Sequence, residues 1–438
     1  MSPRERPSYD MPAEPRGLSL RTNFAWTLMG NGVYAACQWG MIVALAKLGN
    51  SLMVGQFSLG LAVATPVLMF SNFDLRAVQA TDVRRHYRFA EYLRLRVVMT
   101  IAALLVIAGI VWAGKYESRT TAVILAVALA KGVETLSDIH YGLFQLNERL
   151  DQIGRSMMLR GVLSVAALTV ALHLTHQVVW ACIWVALAWL GALLCFDVRR
   201  GRHLRAYTER SPAPIPSPGL ERQWALLCLA LPLGIVTTIA TINLHMPRYF
   251  IHARLGDHQL GIFSAMAYAT VAMTLVGDSL GNCAIPRMSR LYAAGKNAEF
   301  RGLLLRLLAI GAAIGLCGLS IAWGISSWLL SVVYSPEYAV HAHVFVLLML
   351  AAAIHFVASM LTSGITSARC FRIQVPMFAL VAASTAMGCA RWVPTIGLAG
   401  GALAVIGGAS TRLVLAAAVM SYLLLTPACP RSNWEPSL

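Results

Sequence analysis

The stretch "ALAKGVETLSDIHYGLFQ", residues 128–145, is apolar enough to lie in a bilayer yet carries Lys131, Glu134 and Asp138. At 100° per residue, Glu134, Thr135, Asp138, Tyr141, Gly142 and Gln145 fall with Lys131 in an arc of about 120°. Leu129, Val133, Leu136, Ile139 and Leu143 occupy the other side. A charge at the centre of a spanning helix costs about 2.5–3.5 kcal/mol on the insertion scale. Three turned to lipid would cancel most of a typical folding free energy of about 5–15 kcal/mol. The stripe is therefore expected to face a bundle interior or a wet cavity. Two compatible roles stay open. Glu134 lies three residues from Lys131, within helical pairing range, and Asp138 can pair with a neighbour, which makes a self-neutralising network. The same residues can line a transport path.

The surroundings set this helix in a polytopic membrane protein. The chain has 438 residues, 58% hydrophobic and 12% charged, against about 25% charged in soluble domains. Apolar runs of about 20 residues span the hydrocarbon. Twelve are expected, near 23–46, 52–75, 95–114, 120–145, 157–174, 177–197, 223–246, 258–284, 302–325, 341–364, 373–390 and 397–425. Residues 324–335, "GISSWLLSVVYS", read as a short interfacial helix after the ninth span.

The net charge of +16 is unevenly spread. With the N-terminus inside, about 27 Lys and Arg fall in or beside inward segments and about six beside outward ones, so the positive-inside rule puts both termini in the cytoplasm. Lys131 and Arg412 fall within spans. Topology and anionic headgroups account for the basic balance, and no nucleic-acid partner is expected. Residues 1–20 lack an apolar h-region, so no cleavable signal peptide is read and the first span serves as an uncleaved anchor. The nine cysteines are scattered singly and suggest neither a disulfide framework nor a metal site. No cofactor is expected.

The segment 198–222 is basic, "DVRRGRHLRAYTER" closing with "SPAPIPSPG", and reads as a cytoplasmic linker. It separates a cytoplasmic segment 1–22 and a six-helix bundle 23–197 from a second bundle 223–425 and a cytoplasmic tail 426–438. The halves share a signature: "LGNSLMVGQFS" (48–58) and "LGDHQLGIFS" (255–264) both place Leu-Gly, then Gly-x-Phe-Ser, at the start of a span. Six spans return the chain to its starting side, so the repeats are parallel, related by an axis along the membrane normal. The expected fold class is an all-α polytopic membrane protein of about twelve transmembrane helices in two six-helix bundles. Two such bundles can rock about a shared cavity.

Other charges at depth are few. Arg412, in "GGASTRLVLAAAV", stays protonated and needs an anion or water. Asp278, in "LVGDSLGN", lies inside span eight, with Asp74 at comparable depth in span two. Arg248, in "HMPRYF" near the outer end of span seven, is read as a snorkelling arginine or a ligand contact. His245 and His355 are read as packed helix histidines. The glycines of "GLAGGALAVIGGAS" (397–410) allow close helix approach.

With spans, linker and repeat in place, the chain resembles the polysaccharide-transporter branch of the multidrug/oligosaccharidyl-lipid/polysaccharide exporter superfamily, the O-antigen and exopolysaccharide flippases. The likeness rests on 20–82, with its "FDLR" and "TD" exit from the second span, and on "KGVETLSDIHYGLFQLNERLD" (131–151). "LGDHQLGIFSAMAYA" (255–269) and "LLSVVYSPEYAVHAHVFVLL" (329–348) complete it. The resemblance implies a flippase of the bacterial inner membrane moving an undecaprenyl-pyrophosphate-linked oligosaccharide by alternating access, with membrane lipids, a polysaccharide polymerase and a chain-length regulator as partners. It implies no enzyme activity. Candidate pyrophosphate or sugar contacts are Lys131, Arg412, Arg248, Tyr141 and Gln145. Glu134, Asp138 and Asp278 are candidates for H+ or Na+ coupling. A multidrug or metabolite cation antiporter on the same fold is the closest rival and would favour an acidic cavity. A membrane polymerase or glycosyltransferase would need a large outward loop, whereas those here run to about ten residues. An ATP-driven pump is disfavoured, since neither "AGKYES" nor "AAGKNA" completes a P-loop.

Overall fold

The computed structural model describes residues 20–82, 86–208, 219–270, 284–285, 287–292, 294–368, 370 and 373–425. Hydrocarbon supplies no hydrogen-bond partners, so a spanning backbone must satisfy itself, as helices do. The described residues are helical throughout: α1 (Leu20–Leu48), α2 (Ser51–Asn72), α3 (Leu75–Thr81), α4 (Phe89–Gly114), α5 (Ser118–Leu146) and α6 (Leu150–Thr175). α7 (Val178–Ala192) runs through a π-helical turn, Leu193–Val198, into α8 (Arg199–Thr208). α9 (Leu220–Ala269), α10 (Asn297–Val333), α11 (Pro336–Ala339), α12 (Ala342–Ser367), α13 (Gln374–Ile396) and α14 (Leu398–Leu425) follow.

Among the described residues, α1, α2, α4, α6, α10, α12, α14 and the continuous run from α7 through the π turn into α8 are long and apolar enough to cross a membrane. α5 and α13, with 29 and 23 residues, have the length too, and α9 comprises two arms. It turns at Gly256, whose φ of 82° suits a residue without Cβ. The expected spans seven and eight are thus one interrupted run, and residues 271–283 of the eighth lie outside the described residues. Two expectations are corrected. The interfacial helix at 324–335 is absent, because no breaker interrupts the chain there: α10 continues to Val333 and only the four-residue α11, started by Pro336, follows. The basic stretch after 198 is helical to Thr208, because the π turn passes the helix on.

Packing repeats between the halves. α1 lies on α6 as the first arm of α9 lies on α13, and α4 on α5 as α10 on α12. α5 meets α7 as α12 meets α14, and α6 meets α7 as α13 meets α14. The structure is therefore two similar lobes, joined chiefly where α2 crosses α9. At that crossing a Cβ on Gly55 would overlap the carbonyl oxygen of Asp257, and one on Gly261 that of Ser51. Both couples, 51 with 257 and 55 with 261, are 206 residues apart, so the contact is reciprocal and the pseudo-two-fold axis passes through it.

The same end, away from the termini, is tied by polar bonds between lobes. Asn50 caps α2 by accepting from the Met53 amide at 2.9 Å. Ser51 donates to Glu337 at 3.0 Å and Thr120 to Asp257 at 3.0 Å, while Trp39 donates to the Tyr334 hydroxyl at 2.8 Å. Nearer the termini, Arg222 at the start of α9 bridges to the buried Glu91 of α4 at 2.9 Å. Gly55→Ala should cost about 1–3 kcal/mol or more by overpacking two backbones, whereas Gly302→Ala, with open space around it, should be silent. Thermal unfolding of the detergent-purified variants checks the contrast.

Candidate functional site

α2 ends at Phe73 and Asp74, both left-handed, with φ of 47° and 48°. Non-glycine residues seldom adopt this conformation. The double turn swings the short α3 across the face of α5 and carries Arg76 over Asp138. Between α2, α3, α5 and the first arm of α9 lies a cavity of about 410 Å³, in the half of the bundle nearer the termini. Its walls include Asp74, Arg76, Lys131, Glu134, Asp138, Gln145 and, from the second lobe, Thr237.

The charged stripe of α5 forms this wall, with paired charges throughout. Lys131 Nζ donates to Glu134 Oε2 at 2.6 Å. The other carboxylate oxygen of Glu134 accepts from the Tyr34 hydroxyl at 2.6 Å and lies 3.3 Å from Arg160 Nη2. Asp138 is shared: Arg76 Nη1 reaches one oxygen at 3.3 Å and Arg96 Nη2 the other at 3.2 Å. Arg76 also donates to Gln145 at 3.3 Å. Arg96 has no exposed surface and Arg160 is 2% exposed, so both guanidinium groups form a buried layer behind the wall. Arg160 lies over Trp189, its central carbon 5.0 Å from the ring centre, and donates to the Tyr141 hydroxyl at 3.0 Å. Tyr141 in turn meets Ser156 at 2.7 Å. In a low-dielectric interior, breaking such a pair exposes an uncompensated charge.

Of the residues expected from sequence, Lys131, Glu134, Asp138 and Gln145 line the cavity together, and Tyr141 sits directly behind it. Arg412 is elsewhere, in the second lobe, against Thr362, His355 and the Phe378 ring. Arg248 is not at a snorkelling edge: it is 8% exposed, 2.6 Å from His245 and stacked on Tyr268. The Gly256 turn comes nearly three helical turns later than the expected end of span seven, which draws Arg248 inside. Asp278 lies outside the described residues.

Arg76, Arg96 and Arg160 escape a reading by position, since each lies near a cytoplasmic end of its expected span and counts there as a loop cation. The signal for Arg160 was its place inside the fifth expected span, 157–174. That for Arg96 was a like place in the third, 95–114.

The family described as polysaccharide biosynthesis protein matches residues 20–292. The chain belongs to the polysaccharide biosynthesis protein family. The capsular polysaccharide biosynthesis protein CapF of Staphylococcus aureus is 24% identical over 347 residues, 78% of this chain and 84% of that protein. The fold is similar to that of the lipid II flippase MurJ in an inward closed conformation, with a TM-score of 0.71 and 10% identity over 90% of this chain and 87% of the other. A MATE transporter of Vibrio cholerae aligns with a TM-score of 0.60 and 12% identity over 93% of this chain and 97% of the other. At these identities the likeness to solved structures is one of fold, that of two-lobed membrane transporters. This member of the polysaccharide biosynthesis family thus sets its mixed-charge cavity where its two lobes meet.

Removing Asp138 leaves Arg96 buried without its carboxylate. Asp138→Ala should therefore lose up to about 3 kcal/mol, at the low end for a broken buried pair because Asp138 is itself partly exposed. Arg96→Met with Asp138→Leu should recover much of that loss. Unfolding midpoints of the single and double variants test it.

Proposed function

We propose that this protein is a flippase for an undecaprenyl-pyrophosphate-linked oligosaccharide, working by alternating access in the bacterial inner membrane with both termini in the cytoplasm. The observation that carries this reading is the cavity between the lobes, with Lys131 and Arg76 in its wall. On the proposed orientation it faces the cytoplasm while the opposite end is tied by the α2–α9 crossing. Family membership supports a role in polysaccharide production. The flippase name of a structural neighbour and the capsular role of a relative point to a lipid-linked glycan as the cargo.

A diphosphate entering a low-dielectric site loses hydration, and fixed cations offset part of that loss. Lys131 reaches the cavity on a flexible stem as a point charge, a form suited to phosphate. Gln145 is exposed at the cavity wall and can meet sugar hydroxyls, with the Tyr141 ring under Arg76 holding the cation in place at 5.5 Å. The prenyl chain stays in lipid. Proton or sodium coupling, a polymerase and a chain-length regulator complete the proposed setting.

The cation-antiporter reading is the rival. The cavity wall holds Asp74, Glu134 and Asp138, which favours it at first sight. However, Glu134 is already engaged by Lys131 and Arg160, and Asp138 by Arg76 and Arg96. Asp74 stands within electrostatic range of Arg76 and Arg96. Such acids hold resident cations rather than await a soluble one.

Lys131→Ala should lower flipping of lipid-linked glycan by tenfold or more, about 1.4 kcal/mol, with normal amounts of protein in the membrane. Arg412→Ala, outside the cavity, should have a smaller effect. Accumulation of lipid-linked glycan in the inner leaflet of cells carrying each variant is the measure, and wild-type flipping in Lys131→Ala would remove the pyrophosphate assignment.

A further inference from the structure

Asp197 lies in the π-helical turn of Leu193–Val198 and has no exposed surface; neither carboxylate oxygen makes a hydrogen bond of ordinary geometry, and the nearest donors are the hydroxyls of Ser156 and Ser137. π turns insert a residue and re-aim a side chain, often at functional positions. Here the turn points an acid into the layer behind the cavity wall. An ionised carboxylate without hydrogen bonds is among the most costly groups to bury.

Its neighbours come from two helices. α5 contributes Ser137 and Tyr141, and α6 contributes Ser156 and Arg160. Ser156 is engaged with Tyr141, whereas the Ser137 hydroxyl has only Asp197 beside it. Beyond them, His140 of α5 packs on Gly201 of α8, with Arg205 of α8 nearby. Arg160 spends Nη1 on Tyr141 and presents Nη2 to Glu134, while its Nε has no partner. One guanidinium therefore pairs with a cavity carboxylate and lies within electrostatic range of a buried one, with a donor to spare.

We propose that Asp197 is a proton-binding site and that Arg160 changes carboxylate partner with its protonation. With the proton on Asp197, its O–H has Ser137 as acceptor, and Arg160 helps neutralise Glu134. Lys131 is then available to an anion in the cavity. When the proton leaves to cavity water, Arg160 turns its free donor to Asp197. Glu134 is left to Lys131 alone, and the cavity loses its spare positive charge. Binding an anionic headgroup and taking up a proton at Asp197 therefore favour each other, by the reciprocity of linked equilibria. The coupling of headgroup to proton rests on the reading of the cavity given above. The proton site itself does not.

Two measurements separate them. In the first, ligand-free protein is acidified and its infrared difference spectrum recorded. A protonated-carboxyl band should appear in the wild type, vanish in Asp197→Asn and shift in Ser137→Ala, which removes the proposed acceptor. An identical band in all three proteins overturns the site. Ser137→Ala keeps the test alive should Asp197→Asn fold poorly. In the second, farnesyl pyrophosphate binding is followed by calorimetry in buffers of different ionisation enthalpy. Wild-type protein should take up more protons per ligand than Asp197→Asn, with affinity falling by up to about tenfold per pH unit from this one site. Equal uptake by both proteins overturns the coupling. Absence of any binding, with the carboxyl band intact, overturns the flippase reading and leaves the proton site standing.

Discussion

Two helix backbones touch where α2 crosses the second arm of α9, with Gly55 against the carbonyl of Asp257 and Gly261 against that of Ser51. In a bilayer no hydrophobic force draws helix to helix, so association depends on close packing and polar bonds, and small residues provide the closeness. Because the contact is reciprocal, it fixes how the lobes sit about their shared axis. It also shuts the end of the molecule remote from the termini, with the Ser51–Glu337, Thr120–Asp257 and Trp39–Tyr334 bonds arranged around it. Toward the other end the cavity lies between α2, α3, α5 and the first arm of α9.

Charge at depth is the second constraint. The insertion cost of an ionised side chain is met here by pairing each acid of the α5 stripe with two cations. Lys131 and Arg160 hold Glu134, and Arg76 and Arg96 hold Asp138. Each pair has an accessible partner at the cavity and a buried one behind it. The arrangement keeps the wall polar, and behind it the Arg160 guanidinium lies against the rings of Trp189, Tyr34 and Tyr141. The same side chains that pair also line the cavity.

A buried network that is nearly balanced responds to single protons. Arg76, Arg96, Lys131 and Arg160 face Asp74, Glu134, Asp138 and Asp197 across the cavity and its backing layer. Neutralising one acid leaves one cation without its counter-charge, and in low dielectric that difference reaches across several ångströms.

The twelve apolar runs, the matching "GQFS" and "GIFS" starts and the polar stripe of α5 were legible in the residues alone, because hydropathy and helical periodicity are local properties. Membership of two parallel repeats followed from the same signals. The cavity's cations were not legible as a set. Arg76, Arg96 and Arg160 are far apart in sequence and looked like loop charges until α3 folded back and α4 and α6 packed on α5. Arg412, chosen for depth, and Arg248, read at the outer end of its span, went to other places because position along a helix says nothing about which neighbour its side chain meets. Local chemistry determined which segments enter the membrane and which faces must avoid lipid. Only the packing of helices distant in the chain decided which charges share a cavity, since that depends on contacts no single segment contains.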